Sequence, residues 1–93
     1  MILEIVSPES VLFHGNVSSV SLPGVDGSFQ ILNNHAPIVS ILKKGIVKIT
    51  AASFEINNEV EIKFTKIDAQ NFSLAINSGT IEMKDNKIIV LAD

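Results

Sequence analysis

Hydrophobic and polar residues alternate with a period of two in four segments of the chain. This pattern runs through residues 47–52, 60–65, 72–76 and 80–84. Because successive side chains of a β-strand point to opposite faces, each segment predicts a strand with one buried and one exposed face. No segment shows helical spacing over three turns. The pattern therefore predicts an all-β chain.

Turn-forming residues separate these segments at short intervals, as at Ser7-Pro8, Asn57-Asn58 and residues 68–71. Asp85-Asn86 predicts a two-residue hairpin, since Asn tolerates positive φ. About nine or ten short strands spaced in this way predict an antiparallel β-sandwich, or flattened barrel. We expect one domain over residues 1–93 and no second domain.

The alternation changes phase by one residue between Asn16 and Leu22. Val20 and Leu22 alternate with serines, whereas Val17 is out of phase. A β-bulge adds one residue to a strand and would restore the register, so we predict a bulge near Ser18 or Ser19.

Two polar corners enclose the apolar residues 29–32. Pro23-Gly24 and Asp26-Gly27 predict a sharp reversal before them, and residues 33–37 predict a second corner after them. Loops on a rigid scaffold commonly carry the residues that contact other molecules. We therefore expect residues of both corners to contact a partner molecule. The alternative is that both corners are ordinary turns.

Composition points to a single folded core. The 93 residues are 46% hydrophobic and only 18% charged, which is far from a disordered composition. There is no Cys, which excludes disulfides and thiolate metal sites and makes an intracellular compartment the expectation. The first residues lack the features of a signal peptide, and no run approaches the ~20 apolar residues of a membrane span. We expect a soluble or peripheral protein.

The charged residues argue against nucleic acid as a partner. The net charge is -3, with seven Lys and no Arg, whereas phosphate-binding surfaces cluster Lys and Arg. Trp and Tyr are also absent, which leaves five Phe as the only stacking rings.

Candidate chemistry is sparse. Neither His lies in a recognisable nucleophile-and-base arrangement, so we interpret His14 as a strand-end residue and His35 as a contact residue. No spaced His pair or calcium loop predicts a metal site, and residues 24–27 lack the Lys-Ser/Thr of a phosphate-binding loop. We expect no enzyme, no metal and no cofactor.

Two other functions remain open from the residues alone. Lys84 precedes the predicted hairpin at Asp85-Asn86, a position where biotin or lipoyl is attached in small β-domains, although only Met83-Lys84 matches such a site. An ordinary exposed hairpin Lys is the alternative. A ligand-binding sandwich would need a groove with several polar side chains, and the missing Trp and Tyr weaken that option.

Several short motifs follow one another in an order that resembles the amino-terminal domain of the epsilon subunit of F-type ATP synthase. They are Ser7-Pro8-Glu9, Leu12-Phe13-His14-Gly15, Leu22-Pro23-Gly24-x-Asp26-Gly27-x-Phe29, Asn34-His35-Ala36-Pro37, Leu42-Lys43-Lys44-Gly45, Ser78-Gly79 and Val90-Leu91-Ala92-Asp93. The resemblance implies a non-catalytic subunit of the rotating central stalk that links gamma to the c subunits of the membrane rotor ring. Such a subunit couples proton or sodium flow to ATP synthesis, as a peripheral protein on the cytoplasmic face of a bacterial membrane.

The resemblance also implies which residues meet these partners. Ring contact is expected at the lower loops, through Asp26, Ser28, Phe29, Asn34 and His35. Many relatives carry an acidic residue where this chain has Ser28, so the resemblance does not support a salt bridge there.

Gamma contact is expected at Ser7 and Ser40. The alternatives are that Ser7 caps a turn before Pro8 and that Ser40 is simply an outward strand residue.

Two features depart from the family pattern. Most relatives continue after the final V-L-A-D with two helices that can inhibit hydrolysis and in some bind ATP, whereas this sequence stops at Asp93. We therefore expect neither inhibition by helix insertion nor an ATP site. Residues 51–70 are also longer than the usual connection, and their alternation predicts an extra or extended hairpin.

Overall fold

The computed structural model describes residues 1–52 and 64–93, and its regular structure there consists of ten β-strands without a helix. The strands are β1 Ile2–Val6, β2 Val11–Asn16, β3 Ser19–Gly24, β4 Gly27–Leu32, β5 Ile38–Leu42, β6 Gly45–Thr50, β7 Phe64–Lys66, β8 Asn71–Ile76, β9 Gly79–Lys84 and β10 Lys87–Ala92. The all-β prediction is confirmed.

The strands form one curled sheet that folds into two layers. Its order is β2-β1-β10-β9-β5-β3-β6-β8-β7, with β4 paired to β3. Strands β5 and β3 share only the pair of Gly24 and Leu42, so the sheet turns from one layer to the other at this point. We call β2-β1-β10-β9-β5 the first layer and β4-β3-β6-β8-β7 the second.

The core lies between the two layers. Leu3, Ile81 and Val90 from the first layer and Val20 and Ile49 from the second each have at most 1% of their surface exposed. These positions follow the alternation of the sequence, as in β9, where Ile81 is buried and its neighbours are exposed. One continuous apolar cluster results, and it contains no buried polar residue among those described.

One strand pair differs from the antiparallel prediction. Strand β1 runs parallel to β10, with Ile2 opposite Lys87 and Val6 opposite Leu91, whereas the other described pairs are antiparallel. A parallel pair needs a crossover connection. The eight strands between β1 and β10 provide that crossover, so the sheet is mixed.

The predicted bulge near Ser18 or Ser19 is wrong. The chain instead leaves the sheet at Val17 and Ser18, between β2 and β3. The Val17 amide donates to Met1 O at 2.9 Å and the Ser18 amide donates to Thr50 O at 2.8 Å. Val17 is out of phase because it follows the end of one strand, and its side chain still reaches the core.

The strands all run between two ends of the molecule. The turn end carries the connections 25–26, 43–44 and 77–78, and the asparagine end carries the corner 33–37 and the hairpin turn 85–86. The predicted hairpin over residues 51–70 lies largely outside the described residues. Only its last strand, β7, is seen, paired with β8.

Candidate protein interface

The turn end is built from two adjacent turns. In the first, Gly24 pairs with Gly27 and the chain reverses through Val25 and Asp26. Gly27 has φ of 128°, which favours glycine. The sequence predicts turn structure at Pro23-Gly24 as well, but this is wrong. Both residues belong to β3 and are buried.

The second turn lies directly beside the first. The Val25 amide donates to Ile41 O at 3.1 Å, and the Lys43 amide donates to Pro23 O at 2.8 Å. Asp26 and Lys43 are exposed, and Val25 has 49% of its surface exposed. The turn end therefore presents an apolar side chain, a carboxylate and an ammonium group on a backbone fixed by hydrogen bonds between the turns.

The asparagine end is held by a side-chain network. The Asn34 amide donates to Asn86 Oδ1 at 2.8 Å, and Asn86 Nδ2 donates to Asn33 Oδ1 at 2.9 Å. Asn34 and Asn86 have φ of 62° and 60°, a region in which Asn is tolerated. The predicted two-residue hairpin at Asp85-Asn86 is confirmed. Its Asn86 side chain is hydrogen-bonded to the corner at residues 33–34.

His35 makes only local contacts at this end. Its amide donates to Leu32 O at 3.2 Å, and its ring Nδ1 lies 2.7 Å from Ala36 O. The side chain is exposed. This geometry suits a contact residue, and within residues 1–52 and 64–93 no carboxylate forms an ion pair with the ring that could make it a catalytic pair.

The two corners do not lie together. Strand β4 separates them, and its six residues, Gly27–Leu32, are extended, which places the corners roughly 20 Å apart. Asp26, Ser28 and Phe29 therefore belong to the turn end, and Asn34 and His35 to the asparagine end. The expectation that one set of lower loops contains all five is wrong, because a strand flanked by two corners puts them at opposite ends.

The outward face of the first layer carries several exposed apolar side chains. On β5, Val39 has 78% and Ile41 has 62% of its surface exposed, and Leu91 on β10 has 54% exposed. A groove of about 530 Å³ runs beside them, with Val6, Ser7, Ile41, Ser78, Thr80 and Leu91 among its lining residues. Contiguous exposed apolar side chains mark interaction sites in soluble proteins.

The two residues expected to meet gamma occupy different positions relative to this groove. Ser7 lines it and also caps the turn before β2, because Ser7 Oγ accepts from the Ser10 amide at 3.3 Å. Ser40 is half-buried, on the same side of β5 as Leu42 and opposite the buried Ile81. The reading of Ser40 as an outward residue is wrong.

Val39 and Ile41 are the outward residues of β5, and neither is among the contact residues predicted from the sequence. The signal was present in the segment I-V-S-I-L, which is apolar at both phases of the strand. Apolar residues at both phases are typical of a strand that is covered on both faces. The outward face of β5 is exposed in the isolated chain, so it is a candidate for contact with a partner.

The remaining candidate residues lie outside this groove. Lys84 is exposed at the end of β9, just before the hairpin turn, and an attached biotin or lipoyl group there stays an untested alternative. His14 lies across from Glu4, with His14 Nε2 4.0 Å from Glu4 Oε2.

Neither a metal site nor a membrane span is found in the described residues. Within the two described ranges, no three metal-ligating side chains converge. The same ranges contain no helix with the length and apolar character needed to cross a membrane.

The described strands form a small two-layer β-domain with exposed apolar side chains on one face, which is the architecture of a β-sandwich domain. A family model described as "ATP synthase, Delta/Epsilon chain, beta-sandwich domain" matches residues 1–60. Since that match covers more than half of the chain, the chain belongs to this family of ATP synthase subunit domains. The epsilon chain is an accessory subunit of ATP synthase and not the catalytic one.

Curated relatives agree with this assignment. The chain is 40% identical to the ATP synthase epsilon chain of Campylobacter concisus, covering 98% of this chain and 59% of that one. It is 35% identical to the epsilon chain of Chlorobium limicola, covering 98% of this chain and 86% of that relative. The chain thus spans about three fifths of the length of the Campylobacter relatives.

Two solved assemblies contain a chain of the same fold. One is the central stalk/c-ring of the Tetrahymena thermophila mitochondrial ATP synthase, with a TM-score of 0.71 at 17% identity, covering 99% of this chain and 62% of that chain. The other is the OSCP/F1/c-ring assembly of the Euglena gracilis mitochondrial ATP synthase, with a TM-score of 0.77 at 14% identity, covering 99% and 49%. At these identities the likeness shows the fold.

Proposed function

We propose that the chain acts as a non-catalytic central-stalk subunit of an F-type ATP synthase, where it links gamma to the membrane rotor ring. The observation that carries this proposal, beyond family membership, is the exposed apolar face of the first layer. A subunit that works alone in water has no use for Val39 and Ile41 at 78% and 62% exposure. A subunit that is bound to a neighbouring subunit buries these two side chains in the interface.

Gamma occupies the groove beside β5 and β10 in this proposal. The groove is lined by Ile41 and Leu91, which offer apolar area, and by Ser7, which offers a hydroxyl at its rim. Interfaces commonly combine an apolar centre with a polar rim. Ser40 takes part only by supporting β5 from the inner side.

The ring lies against the turn end in this proposal. Asp26, Ser28 and Val25 are exposed there, on turns whose backbones bond to each other. At the asparagine end, by contrast, the amide groups of Asn33 and Asn86 already bond within the chain. A stiff, close-packed body between gamma and the ring transmits torque with little deformation, so the chain couples ion flow, of protons or sodium, to ATP synthesis.

Residues 1–93 do not themselves inhibit ATP hydrolysis in this proposal. The described part of the chain is strand and turn and has no helix that could enter the catalytic head. The site of action is the cytoplasmic face of a bacterial membrane, where the chain is peripheral. Adding these residues to an ATP synthase freed of its own epsilon chain should restore coupled synthesis while leaving hydrolysis uninhibited.

Co-purification tests the proposal directly. We expect gamma and the catalytic subunits to accompany the tagged chain from cells. Ile41→Asp and Leu91→Asp should remove them, because each puts a charge into the groove, whereas Ile46→Asp should not. Ile46 has 47% of its surface exposed, but on the second layer. The proposal fails if gamma does not co-purify with the unaltered chain.

A further inference from the structure

The outward face of the first layer arranges its side chains in rows across the strands. The row nearest the turn end contains Val6, Leu91, Thr80 and Ile41, which are paired in register from β1 to β5. Three of the four are apolar, and Ile41 and Leu91 are more than half exposed. This row is the apolar band of the face.

The next row toward the asparagine end is acidic. Glu4, Ile89, Glu82 and Val39 lie in register, so that two carboxylates flank Ile89 at a separation of about 10 Å, or two strand spacings. His14 lies next to Glu4. Among the described residues, neither carboxylate has a Lys within ion-pair distance.

The third row is basic. Lys87 and Lys84 pair directly across the β9–β10 hairpin, and both are exposed. Like charges placed directly opposite each other destabilise a sheet. In the described part of the chain neither ammonium group has an ion-pair partner. The hairpin therefore keeps two cations together, beside Glu82 and Asp85 but in no ion pair with them, and a carboxylate from outside would further relieve their repulsion.

We propose that these bands set the register of the subunit that covers the face. The inference rests on the proposed function, so the occupant is the neighbouring stalk subunit, gamma. Its docking surface presents apolar, basic and acidic groups in that order, at steps of roughly 7 Å, which is two residues along a strand. The apolar band supplies burial, and the charged bands supply orientation. A partner turned end to end would put its acid on the apolar row and leave both lysines unpaired.

An exchange of Glu82 and Lys84 tests this order. Glu82→Lys combined with Lys84→Glu keeps the composition and the net charge but inverts the acidic and basic bands on β9. The matched control exchanges Lys48 and Ser73, an in-register pair on the outward side of the second layer. Binding is measured to an ATP synthase complex from which its own epsilon chain has been removed, at low and at high salt, after thermal melts of both variants.

We expect the exchange on β9 to lower the affinity at low salt by at least about tenfold, and the control exchange to change it less than about twofold. The gap should narrow at high salt, because salt screens exposed charges. If the β9 exchange binds as tightly as the unaltered chain, the charge order plays no part and the inference is overturned while the proposed function stands. If the unaltered chain does not bind, the proposed function fails and takes this inference with it.

Discussion

Phe13 of β2 and Phe64 of β7 lie with their ring centroids 6.4 Å apart and their planes inclined by 54°. These two strands are the opposite ends of the sheet order. The contact therefore joins the outermost strand of one layer to that of the other and helps to hold the curled sheet in its two-layer shape. Tilted aromatic pairs at this distance add to the effect of burial alone.

Loss of this contact should weaken the whole domain. Phe13 is 3% exposed, so Phe13→Ala should lower the free energy of unfolding by about 3–5 kcal/mol. Phe64 is partly buried and Phe64→Ala should lower it by less. Urea unfolding of both single variants and the double variant measures their coupling, expected at about 0.5–1.5 kcal/mol. Strictly additive effects would show that the rings do not stabilise each other.

The order of the strands explains what the sequence could and could not predict. The Asp85-Asn86 hairpin was predictable because two adjacent residues that tolerate positive φ determine it. The parallel pairing of β1 with β10 was not, because it joins residues 2 and 87 and depends on the whole topology. Local patterns specify strands and tight turns, whereas the packing of distant strands determines which face meets a partner.

The interface residues show the same limit. Gamma contact and an outward strand position are the two interpretations that the sequence gives for Ser40, yet β5 has apolar residues at both phases, so alternation alone cannot orient it. The sequence analysis expects the two corners to act together, yet the apolar residues 29–32 between them belong to one extended strand of six residues, Gly27–Leu32. The extended length of that strand was the physical fact that the prediction did not use.

Gly24 should tolerate no side chain. A Cβ there would lie 2.7 Å from Gly27 O and 2.8 Å from Phe29 Cε1, so Gly24→Ala must shift the turn backbone or the Phe29 ring. We expect a loss of about 1–3 kcal/mol in unfolding free energy. Gly15→Ala is the control, because its Cβ would meet only the Phe13 ring, at 3.3 Å. Equal melting temperatures for the two variants would contradict this account of the turn.

Asn86 should matter for two separable reasons, its positive φ and its side-chain bonds to the corner. Asn86→Ala loses both and should destabilise the domain by about 1–3 kcal/mol. Asn86→Gly loses the bonds to Asn33 and Asn34 but keeps the permissive backbone, so its loss should be smaller. Thermal melts rank the two variants. If Gly is as harmful as Ala, backbone conformation contributes nothing.

The Asp68 carboxylate should make stability depend on pH. Hydrogen bonds from the Gln70 amide and the Asn71 side chain hold the pKa of Asp68 below the ordinary value of 3.8 for an aspartate. Because the pKa is lower in the folded state, this stabilisation is fully present above pH 3.8 and is lost as pH falls through the folded pKa. Asp68→Ala should melt lower than the unaltered chain at pH 7, and the difference should shrink in acid. A difference that is constant from pH 7 to pH 2 would refute the role of the charge.

The separation of the two corners leads to the last prediction, which concerns the membrane ring. The sequence has no Cys, so Ser28→Cys and His35→Cys each introduce a single thiol, one at the turn end and one at the asparagine end. In a complex whose ring loops also carry an engineered Cys, oxidation should cross-link Ser28→Cys to a c subunit and leave His35→Cys free. The corners are roughly 20 Å apart, beyond what a disulfide can span, so a flat ring surface meets only one end. Cross-linking through position 35 alone would reverse the orientation and place the asparagine end on the ring.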